Sequence, residues 1–389
     1  MFKIKTLNKI ASVGTKNFDK SVYEVGSSVE APDAILVRSA NMLDMELPDS
    51  LKAIARAGAG VNNIPIDVCS QKGIIVFNTP GANANAVKEL AIASLLLTSR
   101  NIVGGVNWAK GLPLDADIAK EIEKGKSAFA GPELYGKTLG IFGLGAIGAM
   151  VANTAIELGM SVYGNDPYLT VEAAWLLSHS VKRAKEAKTI YENCDYIALH
   201  VPSTPETKGF INAQAIASMK NGVRIINLSR GDLVNNEDMA KALESGKVAC
   251  YLTDFPSSEV MKMKNVITIP HLGASTPESE DNCAVMAVNE LIDFLENGNI
   301  KNSVNFPDVI NPKGGDESVC VIHKNVPTML AQISSAISGA GLNIENLSSR
   351  SKKEMGYSVF EITGKCPDCV IEKLLSVEGI IRVNVVSNR

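Results

Sequence analysis

The chain has 389 residues, enough for two to three domains at about 150 residues each. Hydrophobic residues make up 46% and charged residues 21%, which excludes a disordered chain and lets each domain bury its own core. With 38 Lys and Arg against 42 Asp and Glu, the chain lacks the basic excess that phosphate-backbone binding requires, so no nucleic-acid partner is expected.

In chain order, short apolar runs alternate with helical patterns, the texture of parallel sheets with crossover helices. Strands are expected over 34–37, 53–57 and 74–77, followed by a long helix over 84–100. A second series of strands is expected at 138–142, 161–164, 196–200, 224–228, 249–254 and 266–269. A helical period returns over 277–297 and stops at Gly298. Residues 303–317, with two prolines and two glycines and no periodicity, read as a linker. From Ser318 to Arg389 the order becomes strand 319–323, helix 327–339, strand 342–348, strand 357–363, helix 367–376 and strand 380–386. That βαββαβ order predicts a small ferredoxin-like module.

The apolar stretches around 90–97 and 223–228 are too short to span a bilayer. The opening MFKIKTLNKI has neither an apolar core nor a cleavage site, so a cytoplasmic protein with no membrane partner is expected. The seven cysteines are scattered, and the one close pair, Cys366 and Cys369, has no second pair or histidine beside it. Reduced thiols and no metal are expected.

Two groups of residues carry chemistry. Gly143, Gly145 and Gly148 form GxGxxG at the end of a strand and ahead of a helix, with Asp166 after the next strand. Gly143 suits a tight turn, Gly145 a backbone approach to a pyrophosphate, and Gly148 close helix–strand packing. A carboxylate at Asp166 can accept ribose hydroxyls and repels a 2′-phosphate, which favours NAD over NADP. Arg230, Glu259 and His271 each follow a predicted strand, where the strand ends of a doubly wound sheet meet the ligand crevice. Together they suit a 2-hydroxy acid dehydrogenase. His271 takes the hydroxyl proton, Glu259 bonds and orients the imidazole, and Arg230 clamps the substrate carboxylate.

With these motifs the chain resembles the D-2-hydroxyacid dehydrogenase family. GLGAIG, LHVPSTPETKG, NLSRG, TDFPSSE and PHLGAST stand in that family's order, and VRSA, RAGAGVNN and NTPGANANAVKELA extend the likeness over roughly residues 34–300. The resemblance implies Arg230, Glu259 and His271 as catalytic residues. It implies cofactor contacts at Ala146, Ile147, Asp166, His200, Leu228, Ser229, Arg230, Asp254 and the run His271, Leu272, Gly273 and Ala274. The implied fold is α/β: a discontinuous flavodoxin-like substrate domain (1–97 and 275–302) around a Rossmann NAD-binding domain (98–274), the two closing to exclude water. A homodimer is implied, or a homotetramer if the C-terminal modules also pair.

Residues 318–389 resemble an ACT domain, a regulatory module that binds amino acids. A family member with that tail implies oxidation of 3-phospho-D-glycerate to 3-phosphooxypyruvate, the first step of L-serine synthesis. The phosphate calls for cations besides Arg230, and Arg38 and Arg56 are the candidates. Ser39, Asn83 and the backbone of Ala59 and Gly60 add hydrogen bonds. In the ACT module His323, Asn325, Asn343 and Ile344 match positions that hold an L-serine effector, while Thr328 stands where relatives carry glycine. The competing readings are a dehydrogenase for glyoxylate, hydroxypyruvate or 2-hydroxyglutarate chemistry, and an NAD-sensing protein that binds partners.

Overall fold

The structure, a computed structural model, describes residues 1–311 and 313–388. It comprises two compact units, one of Met1–Asn83 with Pro277–Arg389, the other of Ala84–Thr276.

The first unit opens with β1 (Phe2–Leu7), α1 (Ser12–Thr15), β2 (Tyr23–Gly26), β3 (Ala34–Val37), β4 (Ala53–Arg56), α2 (Ile66–Gln71) and β5 (Ile75–Phe77). All five strands are parallel, in the order β2-β1-β3-β4-β5, the flavodoxin-like arrangement. The run AILV of β3 is buried throughout because both faces of the sheet are covered. Alternation divides it between two cores: Ala34 and Leu36 join Ile4, Ala55 and Phe77, while Ile35 and Val37 join Ile54, Leu51 and Val76.

The second unit begins with α3 (Ala84–Ser99), α4 (Ile102–Lys110) and α5 (Ile118–Gly125). It continues through β6 (Thr138–Phe142), α6 (Ala146–Glu157), β7 (Ser161–Asn165), α7 (Val171–Trp175), β8 (Lys182–Arg183), α8 (Ala187–Asn193) and β9 (Tyr196–Leu199). It closes with α9 (Ala213–Ser218), β10 (Val223–Asn227), α10 (Asn236–Glu244), β11 (Val248–Thr253) and β12 (Val266–Thr268). The seven parallel strands run β12-β11-β10-β9-β6-β7-β8, so the chain reverses direction across the sheet between β6 and β9. That is the topological switch point at which doubly wound sheets bind ligands. Ala91 and Leu95 of α3 pack into the core formed by Leu139, Val151, Ile226 and Leu252, so the whole of α3 falls in this unit and the division comes at 83/84.

Back in the first unit, α11 (Pro277–Asn297) is followed by β13 (Glu317–Lys324), α12 (Met329–Ser338), β14 (Ile344–Lys352), β15 (Met355–Ile362), α13 (Asp368–Leu375) and β16 (Ile380–Ser387). The antiparallel sheet β14-β15-β13-β16 has α12 and α13 on one face, over Val319, Val321 and Phe360. Its other face, with Cys320, Ile322, Tyr357 and Val359, merges into the core formed by Ile4, Phe77, Leu291 and Phe294. The ferredoxin-like module is therefore seated on the N-terminal sheet. Tyr357 donates to the Gly298 carbonyl at 2.6 Å and Arg382 to the Leu51 carbonyl at 2.7 Å.

The described residues of 303–316 form no helix and no strand beyond isolated bridges at Ser303 and Val309, yet the stretch is not a free tether. Ser303, Asn305, Phe306, Val309 and Asn311 are buried. Asn305 accepts from the Val76 amide and donates to the Ile74 carbonyl, each at 2.9 Å, so its side chain replaces backbone bonds that an irregular segment lacks. No single helix among the described residues is long and apolar enough to cross a membrane.

Candidate active site

The second unit gathers its reactive groups at the carboxyl ends of the parallel strands. After β6, Gly143 has φ +87°, and a Cβ there would lie 2.4 Å from the His200 carbonyl oxygen. A Cβ on Gly148 would lie 1.9 Å from the Gly143 carbonyl oxygen, whereas at Gly145 nothing stands within 4 Å. Two glycines are thus required by crowding and the third leaves an open cradle. That cradle faces the first turn of α6, where Ala146 and Ile147 begin the helix, and it fits a pyrophosphate.

Asp166 accepts from the Leu144 amide through Oδ2 and from the Tyr168 amide through Oδ1, both at 2.8 Å. Each oxygen keeps a lone pair for a ribose hydroxyl, so the same carboxylate fixes the glycine loop and can read the sugar. His200 is bound to the sheet through its amide, which donates to the Phe142 carbonyl at 2.8 Å. Burial pushes the His200 pKa down to about 4, so this ring is neutral at physiological pH and lines the loop instead of exchanging protons.

After β10, the Leu228–Ser229–Arg230 loop is built by Asn227, which is fully buried. Asn227 accepts from the Ser229 amide at 3.2 Å and donates to the Arg230 carbonyl at 2.8 Å, while Ser229 Oγ donates to the Leu199 carbonyl at 2.7 Å. Arg230 is left exposed, with Nη1 donating to the Ser229 carbonyl at 2.6 Å.

After β11, Asp254 is 1% exposed, and neither carboxylate oxygen has a hydrogen-bond partner among the described residues. His271 Nδ1 lies 3.2 Å from Asp254 Oδ2, an ion-pair approach that falls short of an aligned hydrogen bond, and the Phe255 ring packs on the imidazole at 5.0 Å. Burial raises the Asp254 pKa, opposed by the nearby His271, by the polarity of its own backbone and by Arg230. The expected Glu259–imidazole bond is not what the structure holds. Glu259 is exposed at the head of a short 3-10 turn, accepting from Asn236 Nδ2 at 3.1 Å, and Asp254 stands beside the imidazole instead. Gly273 is buried near Asp254, while Leu272 is exposed and Ala274 half-buried.

In the first unit, Arg38 and Arg56 end the adjoining strands β3 and β4. Arg56 Nε donates to the Arg38 carbonyl at 3.0 Å, and its guanidinium runs under the Gly58–Gly60 turn. Burial lowers the Arg56 pKa, and the Arg38 charge adds to the effect. Arg38 is paired with Glu280 at 2.6 Å, a partner that the sequence reading missed, and Arg56 has no carboxylate partner among the described residues. Each strand end is held separately: Asn8 Oδ1 accepts from the Ser39 and Ala40 amides after β3, and Asn78 Nδ2 donates to the Ala59 carbonyl of the turn after β4 at 2.6 Å. Ser39 and Ala59 are exposed, Gly60 and Asn83 half-buried. Asn8, with φ +70°, carried a signal only as an asparagine after a strand.

The four effector candidates do not meet within one chain. His323 is 3% exposed and uses both ring nitrogens internally, Nδ1 with the Lys324 carbonyl at 2.9 Å and Nε2 with Ser358 Oγ at 2.8 Å. Asn325 donates to the Lys353 carbonyl at 3.2 Å, near the same end of the sheet. Asn343 and Ile344 sit at the other end, since Ile344 and Glu317 both face Ile362 while His323 faces Gly356. Six register steps at about 3.3 Å each separate them by roughly 20 Å. Asn343 instead donates to Glu345 at 2.6 Å.

A family model described as D-isomer specific 2-hydroxyacid dehydrogenase, NAD binding domain, matches residues 94–273. The chain is 30% identical over 377 residues to the D-3-phosphoglycerate dehydrogenase of Haemophilus influenzae, covering 93% of this chain and 88% of that one. It is 34% identical over 325 residues to the Bacillus subtilis enzyme of the same name, covering 79% and 59%. Against that and the next two curated relatives it matches, the chain spans 59%, 55% and 54% of their length. Among solved structures it is similar to the NAD+-bound 3-phosphoglycerate dehydrogenase of Entamoeba histolytica, at 29% identity and a TM-score of 0.60, covering 78% of this chain and 98% of that one.

Proposed function

Because the chain belongs to the D-isomer specific 2-hydroxyacid dehydrogenase family, we propose that it oxidises 3-phospho-D-glycerate to 3-phosphooxypyruvate, the first step of L-serine synthesis, using NAD. When bound, NAD supplies the acceptor for the hydride leaving C2. The open cradle at Gly145 and the first turn of α6 would hold its pyrophosphate, and Asp166 its ribose hydroxyls. The unpartnered oxygens of Asp254 suit an amide N–H, as the nicotinamide carboxamide carries.

Of the imidazole nitrogens of His271, Nδ1 faces Asp254, which leaves Nε2 to take the proton from the C2 hydroxyl. Asp254 orients the ring and stabilises the imidazolium that forms, a role the sequence reading assigned to Glu259. Glu259 stays in the proposed catalytic set as the second carboxylate on that strand edge. Arg230, exposed at the end of β10, clamps the substrate carboxylate with its planar fork.

The observation that carries the substrate assignment is the juxtaposed pair Arg38 and Arg56, one of them without a carboxylate partner among the described residues. Unphosphorylated 2-hydroxy acids give no use for two further cations. Arg56→Ala tests this directly. Loss of a charge-assisted contact, about 2 kcal/mol, lowers kcat/KM for 3-phospho-D-glycerate roughly 30-fold and leaves unphosphorylated 2-hydroxy acids unaffected. Equal losses on both substrate types would remove the phosphate assignment.

A homodimer is the proposed assembly. Neither α4 nor α5 buries a residue, and Ile102, Val106 and Ile118 are exposed beside Leu114, which is 96% exposed. A second copy of this chain is proposed to cover them. An L-serine effector site drawing on Asn325 and Asn343 would likewise need two copies, because one chain holds these residues at opposite ends of its sheet.

A further inference from the structure

On α11, residues 282, 285, 286, 289, 290 and 293 recur at helical spacing and form one wall of a cavity of about 550 Å³. Gly81 and Ala82 also line it, as do Asn299, Lys301 and Asn302, so the cavity lies wholly within the first unit. None of the residues assigned to the proposed reaction lines it.

Glu290 is 9% exposed. Its Oε1 accepts from Asn302 Nδ2 at 2.8 Å, while Oε2 has no hydrogen-bond partner among the described residues. Nearby amides are committed elsewhere: Asn297 and Asn299 both donate to Asp293 Oδ1, at 2.7 and 2.8 Å. A buried carboxyl with one oxygen unmatched is costly, and the fold does not supply the missing donor. Burial accordingly raises the Glu290 pKa to about 8, helped by Asp308 and opposed by Asn302 and Lys301.

The occupant that suits this lining must bring N–H donors and a positive charge. Asp293 repels anions, Lys301 is the one cation among the described residues of the lining, and Glu290, which holds a proton at pH 7, can release it to pair with a cation that reaches its carboxyl. A hard divalent cation asks for six or more oxygens, and Asn299 Oδ1 is already taken by the Asn311 amide at 2.7 Å. Val285, Met286 and Ala82 add an apolar strip to the same cavity, which suits a short carbon skeleton. We propose that this cavity binds a small primary amine in its ammonium form, its N–H groups on Glu290 Oε2 and its carbon skeleton along Val285 and Met286.

The test is thermal unfolding of the full chain with ethanolammonium chloride, against tetramethylammonium chloride at equal ionic strength as a cation without N–H donors. The expected result is a saturable rise in Tm with ethanolammonium alone. It should be lost in Glu290→Gln, which keeps an acceptor for Asn302, and weakened at least tenfold in Met286→Trp, which fills the cavity. No rise, an equal rise with tetramethylammonium, or an undiminished response in both variants would overturn the proposal.

Discussion

Replacing Glu290 with glutamine should change how the protein's stability depends on pH, and the size of the change follows from the burial of that carboxyl. A glutamate in water titrates near 4.5, whereas Glu290 in the fold titrates near 8 because burial disfavours its charge. The folded state therefore holds a proton that the unfolded chain releases. Stability from this group is fully present below pH 4.5 and falls as pH rises toward 8. The interval from 4.5 to pH 7 corresponds to about 3 kcal/mol at ~1.4 kcal/mol per pH unit. Glutamine keeps an acceptor for Asn302 and does not titrate, so it removes this loss. Its new amide costs something in the cavity, but equally at every pH. Urea unfolding at pH 5 and pH 7.5, without amines, should show the stability difference between Glu290→Gln and the parent moving about 3 kcal/mol in favour of the variant at the higher pH. Parallel pH profiles for the two proteins would refute the reasoning.

Thr328 has φ +66° at the head of α12, a left-handed backbone that costs a β-branched residue about 1–2 kcal/mol. Thr328→Gly should raise Tm by several degrees in a thermal melt, and a lower Tm would contradict the strain. Gly145→Val should leave Tm unchanged, because nothing lies within 4 Å of its Cβ position, and should abolish the fluorescence change on NADH binding. Retained NADH binding would place the pyrophosphate elsewhere. Asp254→Asn should reduce kcat by roughly 100-fold or more through loss of the carboxylate beside His271, and steady-state kinetics within threefold of the parent would contradict that role. Glu280→Gln releases Arg38 from its 2.6 Å ion pair, so KM for 3-phospho-D-glycerate should fall by a few fold while kcat holds, and a rise in KM would show that Glu280 positions the guanidinium instead.

The parts legible in the sequence are those with a strict local signature. β3, β6 and β9 are short, mostly apolar runs of the kind a strand buried on both faces uses, and Gly143 and Gly148 of the glycine fingerprint stand where backbone crowding admits nothing larger. β1 escaped notice because FKIKTL mixes lysines into a half-exposed strand, and β2 is a four-residue edge strand with two exposed positions. The 303–317 stretch read as a linker because its order comes from asparagine side chains reaching distant backbone, which leaves no periodic trace. Glu259 and Asp254 are both carboxylates after one strand, and only the depth of each distinguishes the imidazole's neighbour. Nothing in the local sequence marks Glu290 as buried, because its cover includes Asn302, twelve residues further on, which donates to it.

We propose that the two arginines at the ends of β3 and β4 select a phosphorylated 2-hydroxy acid for a reaction in which His271 takes the hydroxyl proton. The most direct measurement is NADH oxidation by the purified protein with 3-phosphooxypyruvate, glyoxylate and 2-oxoglutarate at equal concentrations. The highest kcat/KM is expected for 3-phosphooxypyruvate, by at least an order of magnitude, about 1.4 kcal/mol. Preference for glyoxylate or 2-oxoglutarate, or NADH binding without turnover of any of the three, would contradict it.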